Sequence, residues 1–193
     1  PGLARLVLNR YARHGMKREA RSPHLLHIPT GERCNNRCTF CMERNAGYPM
    51  VRTLEEYRAT LEKMRADLSG VVFTGGEPTL NPLLPELVEA ARRLDYRVIG
   101  LVTNGRALRN PELCAELLTA GLNDVTVSMH GPSAEVHDGI TRRSGSFDQG
   151  TVEANGWCFG KFGLCRRSSN IDPARKQVRT RLDGRHGHWR GSG

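Results

Sequence analysis

An α/β fold around a parallel sheet is predicted by three features of this chain. Short apolar runs end on glycine or small polar residues, helical periodicities separate them, and Thr-x-x-Glu or Asn-Pro pairs open the periodic stretches. Strand and helix alternate in that order, which implies βαβ units with right-handed crossovers.

The elements follow in sequence. "HLLHIPT" (24–30) reads as a buried strand running into a cysteine loop. In the next helix Leu54, Tyr57, Leu61, Met64 and Leu68 share one face, and Thr53 with Glu56 forms a capping box at its start. "GVVFTGGEP" is a strand closed by a glycine turn. "NPLLPELVEAARRL" opens with Asn81 as N-cap and Pro82 at the first helical position. "YRVIGLVTNG" is the third strand. "NPELCAELLTAG" repeats the Asn-Pro opening and ends on Gly121 as a C-terminal cap. "NDVTVSMHG" is the fourth strand. In parallel sheets and barrels, functional groups gather beyond the C-terminal strand ends. Here those ends carry the cysteine loop, Gly75–Gly76–Glu77–Pro78, Thr103–Asn104–Gly105 and Ser128–Met129–His130.

Composition narrows the classes. The 193 residues carry a formal charge of +9 and 38% hydrophobic content, and the length allows one domain with a real core or a fragment of a larger one. No apolar run approaches membrane-spanning length. Residues 1–23 read as a basic amphipathic leader helix lying on the domain, without the unbroken apolar core of a signal peptide. The chain starts on Pro1, so a missing or processed start is expected. A cytoplasmic location follows as an expectation. In a reducing compartment, metal binding or catalysis outweighs disulfides as the use of cysteine.

Cys34, Cys38 and Cys41 stand at CxxxCxxC spacing within "GERCNNRCTFCMERN". A structural zinc site takes four ligands, so zinc would require His27, Cys114, Cys158 or Cys165 as the fourth. A 4Fe–4S cluster also normally takes four thiolates, and three leave one iron open to a small chelating molecule such as a methionine moiety. Cys114, on the apolar face of its helix, reads as core.

The loop "CNNRCTFC", followed by "GGEPTL", "LVTNG" and "VSMHG", resembles the radical S-adenosylmethionine (radical SAM) enzymes from about His24 to Gln149. The resemblance implies a partial (β/α)6 barrel, here incomplete with about four parallel strands. It implies a 4Fe–4S cluster held by Cys34, Cys38 and Cys41, which reductively cleaves SAM to a 5′-deoxyadenosyl radical that takes hydrogen from a substrate. Phe40 matches an aromatic position near the adenine. Gly75 and Gly76 would let the strand end approach the methionyl group, Glu77 would accept its ammonium, and Pro78 in the same turn is expected among the cofactor contacts. Thr103, Asn104 and Ser128 match strand-end contacts to ribose or methionyl carboxylate. No role is assigned to His130, and no catalytic residue is named. "HGPSAEVHDGITRRSGSFDQ" resembles the branch holding molybdenum-cofactor-synthesis enzymes and peptide-modifying maturases, with His137, Asp138 and Phe147 expected to orient the next helix. The substrate is expected to be a small molecule or a peptide. The electron donor is expected to be a flavodoxin or ferredoxin, and nucleic acid is not expected as a partner. The alternative is a noncatalytic zinc or iron–sulfur module with a basic nucleic-acid-binding tail.

Residues 150–193 break the pattern. Gly150, Gly156, Gly160 and Gly163 fall where a helix should propagate, and each disfavours it by about 1 kcal/mol against Ala. Seven Arg and two Lys against Glu153, Asp172 and Asp183 supply six of the nine net charges. A nucleic-acid-binding tail, a disordered extension and a change of reading frame compete, and the last is favoured. A disordered tail is expected, with the sheet ending in an exposed edge after "NDVTVSMHG" and SAM turnover impaired. Cys158 and Cys165 are then accidental, and two cysteines do not support a second cluster.

Overall fold

The computed structural model describes residues 24–43, 52–151, 171–172 and 177–181. The expected leader lies outside them, as do Cys158 and Cys165. Four strands run parallel in chain order: β1 (Leu25–Pro29), β2 (Gly70–Thr74), β3 (Val98–Thr103) and β4 (Asp124–Ser128). Between them lie α1 (Leu54–Arg65), α2 (Leu84–Arg93) and α3 (Pro111–Ala120). After β4 come α4 (Ala134–Thr141) and the short α5 (Ser146–Gly150). This is the predicted α/β alternation with its four parallel strands.

Period-two alternation divides the sheet into two faces. Ile28, Val71, Phe73, Ile99, Leu101, Val125 and Val127 join the core beneath the helices. The register places Ile28 opposite Phe73 and Phe73 opposite Leu101, so this face is apolar across adjacent strands. Leu61, Leu84, Leu87, Val88 and Leu117 close the core from the helix side, each at most 1% exposed. The opposite face, with Pro29, Thr74, Val102 and Ser128, lines an open cavity.

Most local signals are realised. Thr53 Oγ1 accepts the Glu56 N–H at 3.2 Å while Glu56 Oε2 accepts the Thr53 N–H at 2.7 Å. Tyr57 and Leu61 are buried on the predicted face of α1. Asn110 caps α3 through the N–H groups of Glu112 and Leu113, and Gly121 ends it at φ 120°. The start of α2 is corrected. Leu83 is the N-cap, and Asn81 lies two residues earlier. The Asn81 side chain accepts the Leu83 N–H at 2.9 Å and donates to Thr30 O at 2.9 Å. Its tie to the end of β1 holds Asn81 in the preceding turn, so the helix begins later.

The exposed edge is also corrected. A two-residue strand β5 (Ile171–Asp172) pairs with β6 (Gln177–Arg181), and β6 lies antiparallel along β4 with Asp124 opposite Arg181 and Ser128 opposite Gln177. Ladder pairing uses main-chain groups, so a five-residue segment suffices without long-range periodicity.

Candidate cluster and cofactor site

β1 delivers the chain into the cysteine loop, and the end of β2 grips that loop by its backbone. Gly76 N–H donates to Gly31 O and Glu77 N–H to Arg33 O, each at 2.8 Å. Gly75 has φ 112°, and a Cβ there would lie 2.7 Å from Gly31 O. A Cβ on Gly76 would lie 2.4 Å from Arg33 O. Both glycines therefore admit the loop's own backbone, a close approach that no larger residue allows.

The three thiols face one cavity of about 520 Å³. Phe40, Gly75, Gly76, Glu77, Thr103, Asn104 and Ser128 line the same space, so seven of the eight expected cofactor contacts converge there. Pro78 does not line it; it is buried at the start of the short 3₁₀ turn Pro78–Leu80. Parallel strands ending on one side bring together residues as far apart in the chain as Cys34 and Ser128.

Glu77 is the best-supported polar group of the cavity, only 3% exposed. Its Oε1 accepts the hydroxyls of Thr79 and Thr103, each at 2.6 Å, and the Thr79 N–H at 3.2 Å. Its Oε2 accepts the Asn104 N–H at 2.7 Å. Thr103 is thus a support for Glu77, and its oxygen also accepts the Gly105 N–H. The Asn104 amide turns toward the cysteine loop, donating to Asn35 Oδ1 at 2.7 Å and lying 3.9 Å from Cys34 Sγ. Burial pushes the Cys34 thiol up, the charges of Glu77 and Cys41 add to that, and donation from the Asn36 N–H opposes it. Metal binding would displace the proton that this environment retains.

The donor set suits an iron–sulfur cluster. Thiolates are the usual ligands of such clusters, and three from one loop face a shared space with further room. Among the described residues, no three His, Cys, Asp or Glu side chains converge closely enough to hold a single metal ion. Of the possible fourth zinc ligands, His27 is exposed beside the cavity, while Cys114 is 1% exposed in the core.

The histidines form an aromatic ladder. Phe40 meets His130 edge-on at 4.8 Å, His130 stacks on His137 at 5.6 Å, and His137 meets Phe147 at 5.8 Å. His137 is 1% exposed and its Nδ1 accepts the His130 N–H at 3.1 Å. Burial pushes its basicity down, against the partial opposition of Asp138.

Reasoning from the sequence missed Arg106. Its guanidinium donates to Asn35 O at 2.6 Å, Asn36 Oδ1 at 3.2 Å and Gln149 Oε1 at 2.6 Å. The only local hint was its place immediately after the "TNG" strand end.

The radical SAM superfamily model matches residues 28–149. A probable GTP 3′,8-cyclase of Saccharolobus islandicus (strain Y.N.15.51) is 36% identical over 110 residues, covering 56% of this chain and 35% of that protein. The 7,8-dihydro-6-hydroxymethylpterin dimethyltransferase of Methanocaldococcus jannaschii is 31% identical over 114 residues, covering 56% of this chain and 22% of that protein. The chain thus spans between about a fifth and about a third of these relatives' lengths. Among solved structures, BtrN in complex with AdoMet and 2-DOIA aligns with TM-score 0.49 and 21% identity, over 68% of this chain and 53% of that one. Among the described residues, no helix is long and apolar enough to cross a membrane.

Proposed function

Because this chain belongs to the radical SAM superfamily, we propose that Cys34, Cys38 and Cys41 hold a 4Fe–4S cluster beside a bound SAM molecule. The observation that carries this reading is the shared cavity of the three thiols and the ends of β2, β3 and β4. When bound, cluster and SAM together supply one-electron cleavage of the SAM sulfonium and hydrogen-atom abstraction from a substrate.

The chain's own residues bind and orient. A carboxylate offers about four acceptor positions. Three donors reach Glu77 Oε1 and one reaches Oε2, leaving Oε2 able to accept the methionyl ammonium. Ser128, half-buried at the end of β4, offers a hydroxyl for the ribose or carboxylate. Asn104 holds the loop through Asn35 and can reach the same groups only from that position. Phe40 is 57% exposed and lines the same cavity, where its ring would meet the adenine.

The named relatives favour a small-molecule substrate over a peptide, since one is named for GTP and the other for a hydroxymethylpterin. A flavodoxin or ferredoxin would supply the electron. Anaerobic reconstitution with iron and sulfide tests the reading. The expected result is the broad visible absorbance of a cluster, followed by SAM binding and, under chemical reduction, release of methionine. Tight zinc binding with no cluster absorbance would overturn it in favour of the noncatalytic module. Consumption of GTP or of a hydroxymethylpterin then tests the substrate class.

A further inference from the structure

We infer that the α4–α5 unit is a positioning device for the cysteine loop, with Asp138 and Thr141 setting where Cys38 stands. The inference rests on the reading of this loop as a cluster-binding loop.

The final carbonyls of a helix lack intrahelical partners and need donors from elsewhere. For the last two carbonyls of α4 those donors come from the cysteine loop: Arg37 N–H donates to Thr141 O at 2.8 Å, and Thr39 N–H to Ile140 O at 3.0 Å. Cys38 lies between these two anchored amides. Its backbone is therefore located by a helix end about a hundred residues later in the chain.

That helix end is itself locked. Arg142 caps it in the left-handed region at φ 51°, a conformation that a long side chain adopts only when its surroundings enforce it. The Asp138 carboxylate enforces the turn by accepting Gly145 N–H at 2.6 Å, Phe147 N–H at 2.8 Å and the Ser146 hydroxyl at 2.9 Å. The hydroxyls of Thr141 and Ser146 meet at 2.6 Å, both fully buried. Burial pushes the Asp138 carboxyl up, but the donations from Phe147, Ser146 and Gly145 outweigh it and leave the group below its ordinary value. The carboxylate is thus the form the turn requires. From α5, Gln149 holds Arg106, whose other donors fix Asn35 and Asn36. One unit therefore reaches both sides of the loop.

A helix-capping role alone would lower stability without singling out the loop. The test compares Thr141→Val, which removes the hydroxyl and keeps the shape, with Thr141→Ser, which restores it. Tyr96→Phe, which removes a remote hydroxyl bond to Leu61 O, calibrates general loss of stability. In the iron-free chain, amide hydrogen exchange at Arg37 and Thr39 should rise roughly five- to tenfold in Thr141→Val, as expected for one lost buried hydrogen bond. It should return toward the parent rate in Thr141→Ser. In the reconstituted chain, iron release to a chelator should accelerate by a similar factor in Thr141→Val only. Exchange unchanged at those two amides, or changed equally by Tyr96→Phe, overturns the inference. So does faster exchange with unaltered iron release. A parent chain that takes up no cluster would refute the cluster reading instead, and the exchange measurement would still decide whether α4 holds the loop.

Discussion

Replacing Glu77 by Gln keeps the side chain's shape and asks how much its charge and two acceptor oxygens contribute. The carboxylate takes four donors in a site only 3% exposed. An amide presents one oxygen. With its NH₂ in place of Oε2, two donors face each other across the 2.7 Å now spanned to the Asn104 N–H. With its NH₂ in place of Oε1, the hydroxyls of Thr79 and Thr103 can rotate to accept, but the Thr79 N–H cannot. Either orientation leaves a backbone donor unpaired, which costs about 1–3 kcal/mol. Urea denaturation of the metal-free chain should therefore show a lower midpoint with an unchanged slope. SAM affinity should also fall, because a charge-assisted bond to the methionyl ammonium is worth about 1.5–3 kcal/mol, or one to two decades. The cluster should persist, since Glu77 is not a thiolate. Stability unchanged within a few tenths of a kcal/mol would refute the role assigned to the four-donor carboxylate. Unchanged SAM binding would remove Glu77 from the cofactor site.

Cys34→Ala, Cys38→Ala and Cys41→Ala should each abolish cluster absorbance after reconstitution, whereas Cys114→Ala, at a core position, should retain it. Gly76→Ala sets a Cβ 2.4 Å from Arg33 O and 2.5 Å from Glu32 O, both backbone atoms that must move. Such overpacking should cost about 1–3 kcal/mol in denaturation and loosen the Glu77 N–H bond to Arg33 O. Stability should decline as pH falls below about 6.5, where an ordinary histidine protonates. His137 has a lowered folded value, so the unfolded chain binds the proton first, and the loss accumulates until the folded value is reached. His137→Phe should flatten that slope in denaturation measured across pH; a slope that persists assigns it to another group.

What the sequence determined on its own is whatever depends on short spacing. The Thr53–Glu56 box, the Asn110 cap and the Gly121 terminus are realised because each involves groups within a few residues. The cavity was legible because parallel strands must end on the same side, so locating four strand ends located it. Asn81 shows the limit of this reasoning, since a contact with Thr30, fifty-one residues away, retimed its helix. Tertiary structure alone decided what the glycines approach, which donors occupy Glu77 and how the tail's strand covers β4. It also decided what holds the cysteine loop. Arg106, Asp138 and Thr141 act on that loop across roughly seventy to a hundred residues through bonds whose partners no local pattern marks. Which cysteines stand together is a property of spacing along the chain, whereas where they stand is a property of the surfaces that the folded chain packs around them.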